Sequence, residues 1–326
     1  MLETDPIKAL VKHVGRGKTL ARDLSREQAS EAMGRILRGE FTDAQLGAFL
    51  QALRIKETSV EELVGAALGC EPWMDRSGAP QPPPDRHPLV VNIAFDTARK
   101  GGVLALPAAA LLRRLGLAEP LLVWTPPTLF PEADPVARTL EVLRAHSWLR
   151  AGECPMVEVD QLVPPWKGLR RLRAELGFRS ILNTVEKLLR PWTSAPIVVG
   201  ISHDTFSERL CHVLHALGAP RGAVVRGNHG TCDLTLGVKP METTVWNGTD
   251  VADAPIPTEA LVEDADGSIL LAARLDEWSS LLAQEASPLW RAVRGQAALF
   301  LSTARGIPLP EAAELVRNTS RQGDRP

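Results

Sequence analysis

The sequence predicts an α/β protein: a small N-terminal helical bundle domain over 1–75, a proline-rich linker over 76–88, and a larger α/β domain over 89–320 whose mainly parallel sheet is covered by helices. Three observations predict it. Three helix-start motifs stand in succession within the first seventy residues, four prolines crowd between Pro80 and Pro84, and beyond them short apolar runs alternate with helical periodicity. The chain has 326 residues, 44% of them hydrophobic, enough for a full core and, at roughly 100–200 residues per domain, about two domains.

In the head, Ser25-x-x-Gln28, Thr42-x-x-Gln45 and Ser59-x-x-Glu62 are capping boxes: the hydroxyl accepts from an orphan amide while the third residue reaches back. Each opens an apolar stripe at helical spacing: Ala29, Ala32, Met33, Ile36 and Leu37; Leu46, Phe49, Leu50 and Leu53; Leu63, Val64, Ala67 and Leu68. The linker RSGAPQPPPDRHP cannot continue a helix and favours an extended spacer. Strands are expected over 89–95, 121–124, 197–201 and 223–226, and an edge strand over 243–246. Helices are expected over 107–116, 134–148, 162–191 (split near Gly177, with 169–191 contributing to the head) and 205–217. From 276 to 318 the pattern is helical again, broken near Pro288 and Pro308, and the final SRQGDRP is expected to fray. Continuous apolar strands alternating with helices mean a parallel sheet covered on both faces.

Composition narrows the function. With 37 Lys and Arg against 39 Asp and Glu, net charge is −2, so a polyanion site has to be a local patch rather than a cationic surface. Cys70, Cys154, Cys211 and Cys232 are widely spaced with no Cys-x-x-Cys pair, which fits a reducing cytoplasm and no structural zinc. The N-terminal stretch has acids and no apolar core of a signal peptide, and the apolar run Val103–Leu112 is too short to span a membrane. No nucleophile elbow, Walker loop or dinucleotide glycine fingerprint is present.

The strongest local charge lies between 167 and 190, where Lys167, Arg170, Arg171, Arg173, Arg179, Lys187 and Arg190 face only Glu175 and Glu186. Arg170 and Arg173, at i and i+3, are expected on one helix face, and Trp166 and Trp192 bracket the segment. Cations with nearby indoles suit single strands, because phosphates need charge and bases need flat surfaces to stack on. The plainer reading of the same residues is a solvated helix face with core tryptophans. Arg99, Lys100, Gly101 and Gly102 follow a strand and precede a helix, where glycines let amides approach a phosphate, and Arg226 opens the glycine-flanked Arg226–Gly230 loop after another strand. Both lie at the edge where open parallel sheets bind ligands. Asp96 and Asp233 are isolated carboxylates, weak ligands for magnesium without partners.

The segments LSREQASEAMGRILRGEFTDAQLGAFLQALRIKETSVEELVGAA (24–67), LGFRSILNTVEKLLRP (176–191), VVGISHDTFSERLCHVLHALGAPRGAVVRGNHG (198–230) and GQAALFLSTARG (295–306) resemble, in order, the type III glycosyltransferase superfamily, which contains anthranilate phosphoribosyltransferase and the pyrimidine nucleoside phosphorylases. For the transferase the resemblance implies a Gly-Thr-Gly-Gly-Asp turn, an Asn-x-Ser-Thr helix start, a Lys-His-Gly-Asn loop and a late Asp-Glu pair, which together hold a sugar diphosphate and magnesium. This chain departs at each. It reads Ala94-Phe95-Asp96-Thr97-Ala98-Arg99-Lys100 after the first strand, Leu104-Ala105-Leu106-Pro107 at the helix start, Trp124-Thr125-Pro126-Pro127 after the second strand and Cys232-Asp233 late in the chain. Arg179 matches the arginine that the family sets near the aromatic acid.

The Ala-Arg-Lys stretch and Lys187-Leu188-Leu189-x-Pro191 are similar to the non-catalytic, nucleic-acid-binding YbiB-type branch. That resemblance implies a cytoplasmic homodimer, joined through the helical head, that binds DNA or RNA with little sequence preference and takes no cofactor. The alternative is a divergent phosphoribosyltransferase that uses phosphoribosyl diphosphate and magnesium.

Overall fold

A computed structural model describes residues 5–17, 20–94, 102–127, 134–145, 149, 154–202, 206–227, 230–234, 241–247, 250–256, 277–282 and 287–323. The head begins with α1 (Pro6–Val14), capped by the Asp5 carboxylate, and continues with α2 (Arg26–Leu37), α3 (Asp43–Lys56) and α4 (Val60–Cys70). All three expected capping boxes form, with Ser25, Thr42 and Ser59 accepting from the third helical amide while Gln28, Gln45 and Glu62 accept from the cap amide. Glu62 does more than cap. Its fully buried carboxylate also accepts from Leu24 N (2.9 Å) and pairs with Lys56 Nζ (2.6 Å), so one group fixes the starts of α2 and α4 and the end of α3. Helices α2 and α4 pack closely because Gly65 and Gly69 present no side chain where the Arg26 and Ser30 carbonyls approach.

The sheet contains β1 (Pro88–Asn92), β2 (Glu119–Trp124), β3 (Met156–Glu158), β4 (Ile197–Gly200), β5 (Arg221–Val225), β6 (Met241–Asn247) and β7 (Asp250–Ile256), in the order β3-β2-β1-β4-β5-β6-β7. The first five are parallel; β6 and β7 add antiparallel pairs. Alternation along the strands divides the core. Val90, Leu121, Val123, Val157, Ile197, Val199 and Val224 face the head. They also meet α8 (Trp166–Leu176), α9 (Ile181–Leu188) and α10 (Ser207–Ala216). Leu89, Val91, Leu122, Val198, Ala223 and Val225 pack on the opposite side against α5 (Ala105–Arg114), α6 (Pro135–Ala145), α11 (Trp278–Leu282), α12 (Pro288–Arg305) and α13 (Leu309–Gly323). The four-residue α7 (Val159–Leu162) joins β3 to α8.

Helices α8 and α9 pack on α3 and α4, and Gly177 ends α8 in the left-handed conformation (φ 64°). The head's apolar core is continuous with one face of the sheet. The proline-rich segment is accordingly pinned rather than free. Asp75 N donates to Leu162 O (2.7 Å), Ala79 is buried, and Pro80 O accepts from Trp192 Nε1 (2.9 Å). Residues 243–246 are in a strand as expected but not at the edge, since β7 pairs outside β6. DVADAPI, with two acids and a proline, reads poorly as a strand and is held by its antiparallel partner. Three-residue β3 is too short to show a period. Helix α13 runs to Gly323, past the point where fraying was expected. Among the described residues no helix is long and apolar enough to cross a membrane.

Gly65→Ala drives a methyl against the Arg26 carbonyl and the Ala29 side chain. The expected loss is about 1–3 kcal/mol, the usual range for overpacking, read by urea unfolding.

Candidate binding cleft

Strand order reverses between β1 and β4, and ligands of open parallel sheets sit at the carboxyl ends of the strands at such a reversal. Here the α3–α4 turn of the head, the α8–α9 turn and the start of α10 converge over that edge and enclose a cavity of about 560 Å³. Its floor is apolar, from Leu63, Ile181, Ile201 and Leu210. Its walls carry Arg54, Arg179, Lys187 and Arg209, and two carboxylates, Glu57 and Glu186.

Glu186 is already neutralised. Its buried carboxylate receives a two-pronged contact from buried Arg173, Nη1 at 2.7 Å and Nη2 at 3.1 Å. Asn92, at the end of β1, donates to the Glu186 carbonyl (2.9 Å) and accepts from Ala94 N (2.9 Å), which ties α9 to the central strand. Glu57 is the single non-glycine residue with positive φ (67°) among the described residues, a conformation that costs of order 1–3 kcal/mol and concentrates at functional sites. Its carboxylate lies 4.0 Å from Arg209. Arg209 also donates to Thr58 O (3.1 Å) and sits 5.0 Å over the Phe206 ring. Arg54 donates to Arg179 O (3.1 Å) and covers the Phe178 ring (5.3 Å), while Arg179 reaches Ser202 Oγ (3.4 Å). Half-buried Lys187 donates to Gly200 O (2.7 Å) at the end of β4 and to Gly230 O (2.9 Å) in the loop after β5. Burial pushes its ammonium down to about 8, against the pull of Glu186 and with the help of Arg179.

The basic segment does not share one face. Arg179 and Lys187 line the cleft, but Arg170 is turned to Glu158 (2.9 Å), Asp160 (2.6 Å) and Pro126 O (3.2 Å). Arg173, about 60° around the helix from Arg170, points inward to Glu186, because the α8–α9 interface lies on that side. Arg171 is exposed beside Glu175 (2.9 Å) and Asp43 (3.6 Å), and Lys167 is exposed on α8. Arg190 is buried, where it donates to the Thr193 and Leu217 carbonyls and closes a turn. The expected stacking pair is core: Trp166 is fully buried, and Trp192 is 7% exposed with its indole N–H bound to Pro80. These corrections share a cause, since apolar rings and stems fill the space where α8 and α9 meet the sheet. Arg226 is exposed at the end of β5, and Gly102 is buried ahead of α5. Arg99, Lys100, Gly101 and Asp96 lie outside the described residues.

Asp233 does not suit magnesium. It is 1% exposed and accepts from Ala105 N (3.0 Å) at the start of α5, where a helix N-terminus favours negative charge. Among the described residues no three His, Cys, Asp or Glu groups stand together as ligands. Arg54, Arg209 and Phe206 were missed in the sequence. Arg54 hides in an ordinary amphipathic helix, whereas Phe206 and Arg209 follow β4 at the ligand edge, a position that was a usable signal.

A model described as the helical bundle domain of a glycosyl transferase family matches residues 8–70. An anthranilate phosphoribosyltransferase of Roseiflexus castenholzii is 27% identical over 278 residues, 79% of this chain and 78% of that protein. The uncharacterised protein YbiB of Escherichia coli is 29% identical over 234 residues, 68% of this chain and 71% of its own. The crystal structure of anthranilate phosphoribosyltransferase from Thermus thermophilus superposes with a TM-score of 0.71 at 22% identity, over 97% of this chain and 94% of that one, a likeness of fold.

Two measurements check the cleft. Arg173→Met strands the Glu186 carboxylate in the core and is expected to destabilise by roughly 3–5 kcal/mol, whereas Arg171→Ala at the surface stays within about 0.5 kcal/mol. For Lys187, the folded value near 8 lies below the ordinary 10.5, so between these values the unfolded chain binds more protons. Its burial penalty is therefore full below pH 8 and relieved toward pH 10.5, and the stability gained between pH 7.5 and 9.5 is expected to be smaller in Lys187→Met than in the unaltered protein.

Proposed function

The chain belongs to the anthranilate phosphoribosyltransferase-like type III glycosyltransferases, and within that group we propose that it is a non-catalytic protein that binds nucleic acid with little sequence preference. The observation that carries the reading is the charge of the cleft. Arg54, Arg179, Lys187 and Arg209 line the ligand edge of the sheet, and of the two carboxylates beside them one is already paired with Arg173. Guanidinium and ammonium groups aimed at a shared space suit phosphate oxygens, and backbone contacts of this kind are indifferent to base sequence. The reading requires no cofactor. It places the protein in the cytoplasm as a homodimer joined through the head, where Ile55 and Leu68 expose apolar side chains.

Labelled single- and double-stranded oligonucleotides titrated at two salt concentrations test it. Affinity should fall steeply with salt, and Arg179→Gln should weaken binding to all sequences alike and lower the logarithmic salt slope by about one. Absence of a salt slope, or binding no tighter than micromolar at low salt, would refute the reading.

A second reading, phosphoribosyl transfer to an aromatic acid, is favoured by one feature: Arg179 lines the cleft, and the resemblance sets an arginine near that acid. Calorimetry with phosphoribosyl diphosphate and magnesium separates the two, because heat of binding supports transfer and its absence removes it.

A further inference from the structure

We infer that the cleft receives the terminal nucleotide of a single strand and prefers an end that carries a phosphomonoester. This rests on the nucleic-acid reading and sharpens it. A cavity of about 560 Å³ lies in the range of small-ligand sites, roughly 300–1,000 Å³, with room for one nucleotide and not for a base-paired helix.

The walls divide as a nucleotide divides. Phe206 is an aromatic ring 37% exposed at the rim, with Arg209 stacked 5.0 Å from it, and the floor of Leu63, Ile201 and Leu210 is apolar. A base stacks on such a surface whatever its identity, because every base has a π-face. On the other wall, Arg179 just before α9 and Lys187 in its last turn both line the cleft, and Lys187 donates to backbone carbonyls.

Charge favours an end over an internal nucleotide. A terminal phosphomonoester carries about −1.5 to −2 charges at neutral pH, against −1 for a diester. Four cations around one cleft, opposed by Glu57 and a Glu186 already paired, match the higher charge.

The test is a competition measured by fluorescence anisotropy with the full chain. The competitors are a single-stranded oligonucleotide phosphorylated at both ends, the same strand without terminal phosphates, and the same sequence circularised. The phosphorylated linear strand should compete about tenfold better than the circle, equivalent to roughly 1.4 kcal/mol. Phe206→Ala should weaken the end-dependent part, and Phe206→Trp should restore it, an outcome that a folding defect does not produce. Equal competition by circle and phosphorylated strand overturns the end-binding inference while leaving nucleic-acid binding intact. Failure of every strand to bind overturns both.

Discussion

The contact between Arg173 and Glu186 sets the geometry of the cleft. It joins α8 to α9 through two hydrogen bonds, 2.7 and 3.1 Å, between groups that are almost wholly shielded from water. Glu186 also offers its carbonyl to Asn92 at the end of β1, so the same residue registers α9 against the central strand. One position further, Lys187 grips the carbonyls of Gly200 and Gly230. Two consecutive residues of α9 therefore fix the helix to β1, to β4 and to the loop that follows β5. A buried ion pair is a poor source of net stability, because desolvation offsets the Coulomb gain, but losing one partner is expensive. Its role here is to specify one arrangement of α8, α9 and the sheet.

Around that frame the protein keeps its positive charge local. A net charge of −2 gives no long-range attraction for polyanions, and most arginines of the 167–190 segment are committed to acids or helix ends. Those that face the cleft come from separate parts of the chain: Arg54 from the head, Arg179 and Lys187 from the α8–α9 region, Arg209 from α10. Carbonyls, a hydroxyl and aromatic faces help orient these side chains. Glu57, strained at the head's last turn before α4, balances Arg209 across the opening.

The elements were legible where local physics decides them. Capping boxes at Ser25, Thr42 and Ser59 name their own helices, because donor, acceptor and spacing all lie within four residues. Apolar runs such as LVV and IVV name buried parallel strands because both faces are covered. The strand β7 was hidden, since its pairing with β6 supplies what its own composition lacks. The candidate site was legible only in part. Arg179 and Lys187 stood in the basic run and do reach the cleft; Arg170, Arg173, Arg190, Trp166 and Trp192 stood beside them and do not.

By itself the sequence determined the helical head, the alternation of strand and helix, and the edge of the sheet where ligands are met, because each follows from periodicity, capping and the parallel arrangement. Only the tertiary structure decided which cations share a space. Adjacent positions on a helix point 100° apart, and whether a guanidinium meets solvent, an acid or a cavity depends on what another part of the chain places opposite it. Arg170 and Arg209 illustrate the difference: one entered the basic run and is spent on Glu158 and Asp160, the other went unnoticed and lines the cleft.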